Sequence, residues 1–338
     1  MTKMKRLLLF VIGMALAVSA WAQAPANYYA SANGLRGEAL KVALHNIIKG
    51  HKSITYAQIW NAFWSTDNKG NGVVWDMYSD RPGGTPAYTY QMVTDQCGNY
   101  NGEGDCYNRE HSWPQSWFNN DGTARTDLHH IFATDGFVNS KRSNNAFGEV
   151  KSASWTSTNG SKLGSSKTPG FNGTVFEPID EYKGDFARAI MYMSVRYYGE
   201  DGSWGNSDMT TKSVIKPWAV TMLLRWNDLD PVSRKEIDRN NAIYNDYQYN
   251  RNPFVDHPEY ARMIWDPSWS AEEIDAPASF QANRVIVFDI SGRKLLESNI
   301  TNEEEGIASL KNKLQRGCYL IQLLDGNRVL SNKKLLVN

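Results

Sequence analysis

The fold of this chain is decided by the stretch Tyr107–Val150, which reads YNREHSWPQSWFNNDGTARTDLHHIFATDGFVNSKRSNNAFGEV. It contains three of the six histidines of the 338-residue chain, with acidic, amide and basic side chains around them. Thr134 or Asp135 can serve as the N-cap of a helix that would carry Asn139 and Arg142. The stretch therefore predicts a strand near its start and a helix towards its end.

The side chains of this stretch suit a single hard cation beside a phosphate. Glu110 offers a carboxylate, Asn139 an amide oxygen and His111 an imidazole, while Lys141 and Arg142 carry positive charge. Mg²⁺ and Ca²⁺ take oxygen ligands and retain waters, and a neutral imidazole beside such an ion can deprotonate an attacking water. The combination is typical of a metal-assisted hydrolase.

Outside this stretch the chain is rich in helix signals. Leu40, Leu44 and Ile48 follow helical spacing, and Thr55 with Gln58 resembles a capping box that opens a second helix. Later helices are predicted to open at three carboxylates, namely Asp185, Asp230 and Asp256. Scattered strands among segregated helices, without a regular βαβ alternation, predict an α+β fold.

Composition changes after Trp269, and this change divides the chain. Residues 270–280 read as a linker, and residues 281–338 carry successive strand signals with a hairpin turn at Asp325 and Gly326. We therefore expect a catalytic domain over 23–269 and a small all-β module over 281–338.

The N-terminus has the features of a secretory signal peptide over residues 1–22. Lys3, Lys5 and Arg6 precede an apolar run, which ends in the small-x-small sequence Ala20-Trp21-Ala22. No later segment is longer or cleaner, so no membrane span is expected. In an exported chain Cys97 and Cys106 are predicted to form a disulfide, since the short loop between them can close; two free buried thiols are the alternative.

The overall charge excludes one class of function. The chain has 36 basic and 36 acidic residues, and loss of the leader would leave a net charge near −3. A polycation that coats nucleic acid is therefore excluded, and any contact with phosphate must come from a local cluster or a metal ion. A hydrophobic content of 41% is nevertheless ample for a buried core. We expect the aromatic side chains of Trp113, Trp117 and Tyr107 to pack in that core.

The stretch 107–150 resembles the catalytic core of the endonuclease I family of secreted and periplasmic deoxyribonucleases. Further matches, among them VWDMYSDRPGG at 74–84 and NRNPFVDHPEY at 250–260, extend the likeness over most of residues 28–266. The resemblance implies a His-Me finger (ββα-metal) core surrounded by helices, with Mg²⁺ as cofactor and Ca²⁺ or Mn²⁺ able to substitute. It implies His111 as general base, Glu110 and Asn139 as metal ligands, and Arg142 at a phosphate contact. Further supporting or phosphate-contacting candidates are Asp127, His129, Arg125 and Asn144. Ala133 departs from the family, in which Pro is common at this position.

The implied activity is non-specific endonucleolytic hydrolysis of DNA to products that carry 5′-phosphates, and cleavage of RNA as well is left open by the sequence. Glu110 and His111 are adjacent in the chain, and both can serve one site only if a geometric condition is met. Adjacent residues on a regular strand point to opposite faces, so the strand must end or bulge at this point for both to serve one site. Trp113-Pro114 favours such an end, because Pro cannot continue a central ladder.

The C-terminal module resembles the sorting domain that Bacteroidetes attach to cargo of their type IX secretion system, although the usual Pro-Asn-Pro element is absent. This resemblance implies a protein exported through the periplasm to the cell surface or the medium, with the secretion machinery as a partner; we expect a monomer. A generic β accessory domain is the alternative for the module.

Two other functions remain open at the level of sequence. One is a zinc-dependent hydrolase that uses His111, His129 and His130, and the other is a non-catalytic surface adhesin. His45 and His51 are given no role, and Arg251, Asn252 and His257 are expected to cap and pack.

Overall fold

The computed structural model describes residues 24–266, 268–269, 283–288, 294–300, 307, 309–310, 313–325 and 328–337. The predicted signal peptide, 1–22, and the predicted linker, 270–280, lie outside these residues. The chain divides into two compact units, Met1–Pro267 and Ser268–Asn338.

The first unit contains eight α-helices within its described residues. They are α1 Gly37–Ile48, α2 Gln58–Thr66, α3 Gly136–Arg142, α4 Lys183–Arg196, α5 Pro217–Leu229, α6 Arg234–Ala242, α7 Pro253–Asp256 and α8 Tyr260–Trp265. A π-helical turn, Ile243–Gln248, continues α6. None of the described helices is long and apolar enough to cross a membrane.

The strands of this unit are short. They are β1 Asn68–Gly70, β2 Val73–Val74, β3 Tyr107–His111, β4 Ile131–Asp135, β5 Ala146–Phe147, β6 Val150–Thr156, β7 Lys162–Ser166, β8 Thr174–Glu177, β9 Thr210–Thr211 and β10 Val214–Ile215. The largest sheet of the unit has the order β5-β8-β7-β6, in which only β5 and β8 are parallel. The mixture of helices and small sheets is the α+β class that the sequence predicted.

Helix α4 is the centre of the unit, since all 14 of its residues are buried. Phe186 and Ile190 of this helix pack in one apolar cluster with Phe147, Phe176 and Trp226. A second cluster joins α2 to the β3–β4 pair. A helix that is buried on every side fixes the elements around it, because any shift would open cavities.

The strands β3 and β4 form an antiparallel pair, and α3 follows β4 without an intervening residue. The Asp135 carboxylate caps α3 by accepting a hydrogen bond from Val138 N at 2.8 Å. Its other oxygen accepts from the hydroxyls of Tyr88 and Tyr90, at 2.8 and 2.6 Å, and from Gly104 N at 3.0 Å. The predicted cap at Asp135 is confirmed, and it is held by an extended loop.

The predicted disulfide is present in that loop. Cys97 and Cys106 are bonded with their Cα atoms 5.8 Å apart. Cys106 O also accepts a hydrogen bond from Gly136 N, the first residue of α3. Gly136 is required there, since a Cβ would lie 2.5 Å from the Tyr100 ring. The bridge therefore holds the loop against the start of α3.

Three predicted helix openings are wrong. Asp185 lies inside the first turn of α4, where its carboxylate binds Lys235 Nζ at 2.5 Å. The N-cap of α6 is Ser233, through a capping box, rather than Asp230. Asp256 ends α7 instead of opening a helix. Partners distant in sequence take up these carboxylates, so the local capping signal does not decide the helix start.

The described residues of the second unit form a four-stranded antiparallel sheet of order β12-β11-β13-β14. Its strands are β11 Arg284–Phe288, β12 Lys294–Asn299, β13 Gly317–Asp325 and β14 Arg328–Val337. Residues 307, 309 and 310 are helical, so the unit also contains a short helical segment. Its own core includes Val285, Val287, Ile321 and Leu323.

Candidate active site

His111 stands at the end of β3 and is 5% exposed. Its Nε2 lies 3.0 Å from the carbonyl oxygen of Arg125. A carbonyl can only accept, so Nε2 carries the proton and Nδ1 keeps its lone pair. The site therefore presents Nδ1 as a base.

The surroundings of His111 keep its imidazole neutral. Burial first, and then the His130 ring and the guanidinium groups of Arg109 and Arg125, together lower its pKa to about 3, although the hydrogen bond to the Arg125 carbonyl opposes this shift. The imidazole of His111 lies edge-on to that of His130, with 5.4 Å between ring centroids. A neutral imidazole can accept a proton, as a general base must.

Gln115 is a neighbour of this base that the sequence did not single out. Its Oε1 accepts a hydrogen bond from Arg125 Nε at 3.0 Å, which turns its Nε2 towards His111 Nδ1 at 3.5 Å. Gln115 opens a short 3₁₀ helix directly after Pro114. In the sequence, Gln115 is marked only by its position four residues after His111. That signal is too weak to identify Gln115 as a residue of the site.

Glu110 lies on the other side of β3 and is 2% exposed. Its Oε1 accepts hydrogen bonds from the Tyr78 hydroxyl at 2.8 Å and from Arg142 Nη1 at 2.9 Å. Burial raises the pKa of Glu110, whereas Arg142 and Tyr78 oppose that rise. Because both of these bonds use Oε1, the other carboxylate oxygen is left for a ligand.

Asn139 extends from α3 towards the same strand. Its Nδ2 donates to the carbonyl of Arg109 at 3.3 Å, which places the side-chain amide beside the backbone next to Glu110. A carboxylate oxygen and an amide oxygen are a donor set that Mg²⁺ accepts together with waters. The two side chains therefore fit the expected metal.

The geometric condition on Glu110 and His111 is met in part. Strand β3 ends at His111, as expected, but its pairing with β4 is regular through both residues and has no bulge. Glu110 consequently faces Arg142 while His111 faces Arg125, on opposite sides of the strand. A metal ion held by Glu110 and the imidazole of His111 could therefore act on the same phosphate only beyond the end of β3.

Arg142 does not fit the phosphate contact expected of it. The side chain is 1% exposed, and besides Glu110 its guanidinium donates to the carbonyls of His111 at 2.8 Å and Ser112 at 2.7 Å. These contacts occupy the guanidinium inside the protein. The contacts indicate that Arg142 fixes Glu110 and the end of β3.

Arg125 and Arg109 lie on the His111 side, both half-buried. Their guanidinium carbons lie 4.0 and 3.7 Å from the centroid of the Tyr56 ring. Tyr56 also stacks on the His111 ring at 6.1 Å with an interplanar angle of 24°. Burial lowers the pKa of Arg109, Tyr56 opposes this, and neighbouring Arg125 lowers it further.

Asp127 is the centre of a buried polar network behind the site and is fully buried. It accepts hydrogen bonds from the hydroxyls of Tyr192 and Tyr197 and from Gln248 Nε2, at 2.8, 3.1 and 3.0 Å. Burial alone would raise its pKa, but His51 and other neighbours bring it below the usual value. Asp127 therefore supports the loop that carries Arg125, and substrate cannot reach it.

His129 and His130 belong to the same network. Their Nε2 atoms face the carbonyls of Asn250 at 3.1 Å and Ala124 at 2.7 Å, so each of these nitrogens donates. Among the described residues no group of three His, Cys, Asp or Glu side chains could hold a metal ion. The arrangement disfavours a zinc site built from His111, His129 and His130.

His51, to which no role was given, is buried with Nδ1 3.9 Å from Asp127.

The other candidate residues lie in turns, helix caps, ion pairs and the core. Asn144 is exposed in the turn after α3. Arg251 is buried in an ion pair with Asp256, and Asn252 caps α7 by accepting from Phe254 N, so the expected capping and packing roles of these two residues are confirmed. Trp113, Trp117 and Tyr107 are core residues, as expected. The main-chain N–H of Ala133 donates to Asp67 at 3.3 Å, a contact that Pro could not make.

The chain belongs to the endonuclease I family, whose model matches residues 36–259, and this match makes it a nuclease. The secretion system C-terminal sorting domain matches residues 267–338. An extracellular ribonuclease of Bacillus amyloliquefaciens is 41% identical over 251 residues, which cover 70% of this chain and 78% of that protein. An extracellular ribonuclease of Bacillus subtilis is 38% identical over 253 residues, with the same coverages. The protein is therefore a secreted enzyme that hydrolyses phosphodiester bonds.

Proposed function

We propose that the protein is a metal-dependent endonuclease that cuts DNA with little sequence preference and leaves 5′-phosphates. In this proposal β3, β4 and α3 form a His-Me finger, and His111 is the general base. The observation that carries the proposal is the hydrogen bond from His111 Nε2 to the Arg125 carbonyl, which leaves Nδ1 unprotonated in a chain of the endonuclease I family.

His111 acts on water in the first step. Nδ1 takes a proton from a water molecule, whose oxygen attacks phosphorus in line, and the bond from phosphorus to the 3′-oxygen breaks. The leaving 3′-oxygen takes a proton from solvent, and the His111 imidazolium returns its proton to solvent. The products are a 3′-hydroxyl and a 5′-phosphate. A positioned general base contributes about 10² to 10⁴ in rate.

Glu110 and Asn139 would hold Mg²⁺ through the carboxylate oxygen not engaged by Tyr78 and Arg142 and through the side-chain amide oxygen. When bound there, the ion neutralises negative charge on the scissile phosphate and the leaving oxygen. Arg142 keeps the Glu110 carboxylate ionised and in place. Arg125, half-buried beside His111, takes the phosphate contact that was expected of Arg142.

RNA is the second candidate substrate, because both relatives are named extracellular ribonucleases. The proposed mechanism uses water as the nucleophile and therefore has no need of a ribose 2′-hydroxyl. Both nucleic acids fit the same chemistry. A ribonuclease that used the 2′-hydroxyl would instead leave DNA intact and would not give 5′-phosphates.

A cleavage assay on the secreted protein tests these points together. Supercoiled plasmid and an RNA transcript are each incubated with Mg²⁺, with EDTA, and with EDTA followed by Mg²⁺ or Zn²⁺. We expect nicking and transcript cleavage that EDTA abolishes and Mg²⁺ restores, with 5′-phosphate ends on both products. Cleavage that only Zn²⁺ restores, or RNA cleavage alone with cyclic phosphate ends, would contradict the proposal.

The matched variant is His111→Ala, which should lose about 10² to 10⁴ in rate at saturating Mg²⁺ while still binding DNA. A rate within threefold of the unmodified protein would show that the base is another residue.

A further inference from the structure

We infer that Arg109 and Tyr56 form a second phosphate subsite beside the proposed cleavage site, where Arg109 contacts a backbone phosphate next to the one that is cut and Tyr56 holds the guanidinium groups of Arg109 and Arg125 in place. The inference rests on the proposed function and names the part of the nucleic acid that this surface recognises.

The position of Arg109 follows from the strand. Residues 109 and 111 are two apart on β3, so their side chains leave the same face, about 6.6 Å apart along the strand. This spacing is comparable with that of successive phosphates along one nucleic-acid strand. A phosphate at His111 would therefore bring its neighbour towards Arg109.

Aromatic and main-chain contacts orient the Arg109 guanidinium. Its carbon lies 3.7 Å from the Tyr56 ring centroid and 4.4 Å from that of Trp60. Nη1 donates to the Tyr56 carbonyl at 3.0 Å. A planar cation held against aromatic faces loses little further freedom when it binds an anion.

The charges around Arg109 and Arg125 also favour an anionic ligand. Among the described residues no carboxylate lies within 4.0 Å of the guanidinium nitrogens of Arg109 or Arg125. The buried arginines elsewhere in the unit are each paired with one: Arg142 with Glu110, Arg188 with Glu236, Arg196 with Glu200, Arg239 with Asp67, and Arg251 with Asp256. Two neighbouring cations without a carboxylate repel each other, and a phosphate backbone would remove that repulsion.

Tyr56 contributes its ring and not its hydroxyl. The ring lies within 4.0 Å of both guanidinium carbons. The two arginines therefore share one aromatic support, and loss of the ring should affect both.

Salt dependence of DNA binding tests the inference. Binding is measured by fluorescence anisotropy with a labelled duplex from 50 to 200 mM salt, in the His111→Ala background so that the probe is not cut. We expect Arg109→Ala to weaken binding and to lower the slope of log Kd against log salt by about 0.9, the value of one lost phosphate contact on duplex DNA. In the cleaving protein, Arg109→Ala should raise KM more than it lowers kcat.

The charge-matched control is Arg234→Ala, which removes an exposed arginine paired with Asp238 on α6 and should leave the slope unchanged. Tyr56→Phe should retain the slope, whereas Tyr56→Leu should lower it at least as much as Arg109→Ala does. A slope for Arg109→Ala equal to that of the control would overturn the subsite, and equal behaviour of Tyr56→Phe and Tyr56→Leu would overturn the supporting role of the ring. If the unmodified protein cleaves with Mg²⁺ while the salt slope of Arg109→Ala equals that of the control, the subsite is wrong and the proposed function stands. If the unmodified protein does not cleave, the proposed function itself is wrong.

Discussion

Replacement of Arg142 by alanine separates a structural role from direct substrate contact. The side chain is 1% exposed, pairs with the buried Glu110 carboxylate and donates to two main-chain carbonyls at the end of β3. Removal of one partner of a buried ion pair typically costs about 3–5 kcal/mol, because the other charge stays buried without compensation. A domain has roughly 5–15 kcal/mol of stability in total. We therefore expect Arg142→Ala to lose a large share of its free energy of unfolding.

Urea unfolding followed by tryptophan fluorescence measures this loss. Every tryptophan of the chain except Trp269 belongs to the unit Met1–Pro267, so the signal is dominated by the unit that carries Arg142. With a slope of about 3 kcal/mol per M, the unfolding midpoint should fall by about 1–1.7 M. Activity should fall as well, since Glu110 would lose the cation that keeps it ionised.

The control is Arg125→Ala, which removes a half-buried arginine beside the base. Arg125 has no carboxylate partner among the described residues, so the free energy of unfolding should change by no more than about 1 kcal/mol. Its rate should nevertheless fall, because the proposed phosphate contact is lost. If Arg142→Ala kept the original unfolding midpoint and lost only turnover, Arg142 would act on the substrate and our assignment would be refuted.

Three further predictions concern metal, pH and domain structure. Glu110→Gln and Asn139→Ala should each need more Mg²⁺ for half-maximal cleavage, and an unchanged midpoint in a Mg²⁺ titration would remove that residue from the ligands. Burial lowers the pKa of both His129 and His130 to about 4, although Asp127 opposes it, whereas the unfolded chain binds these protons near pH 6.5. Stability should be complete above pH 6.5 and fall towards pH 4 by about 1.4 kcal/mol per pH unit for each histidine; urea midpoints that stay constant over this range would contradict the reasoning. A protein that lacks residues 275–338 should be soluble and active but no longer secreted by its host, and loss of folding would show that the two units depend on each other.

The parts of the fold that depend on local signals were predictable from sequence. Asp135 caps α3 because a capping carboxylate needs only the next three residues. Cys97 and Cys106 pair because the loop between them is short. The end of β3 at His111 was also predictable from a local signal, because Pro114 lies three residues later and cannot continue a ladder.

The contacts of the site that spacing could not predict join residues far apart in the chain. Arg142 reaches Glu110 across 32 residues, and Arg109 reaches Tyr56 across 53. Spacing within one stretch cannot show that Arg142 is buried against Glu110 while Arg125 stays half-buried beside His111. His51 was overlooked because its partner Asp127 lies on another element.

The Cys97–Cys106 bridge ties the enzyme to the compartment in which it works. It closes the loop that supplies Gly104 N to Asp135, and Asp135 caps the helix that carries Asn139. Closure of a loop of this length is worth roughly 2–3 kcal/mol of stability by the chain-entropy estimate. Cytosolic thiols stay reduced, so a newly made chain lacks this bond until it has left the cytoplasm. We expect the dithiol form to be less stable and less active than the oxidised form, a comparison that cleavage assays with and without reductant can make. Such a difference would protect the nucleic acids of the producing cell from its own product until export is complete.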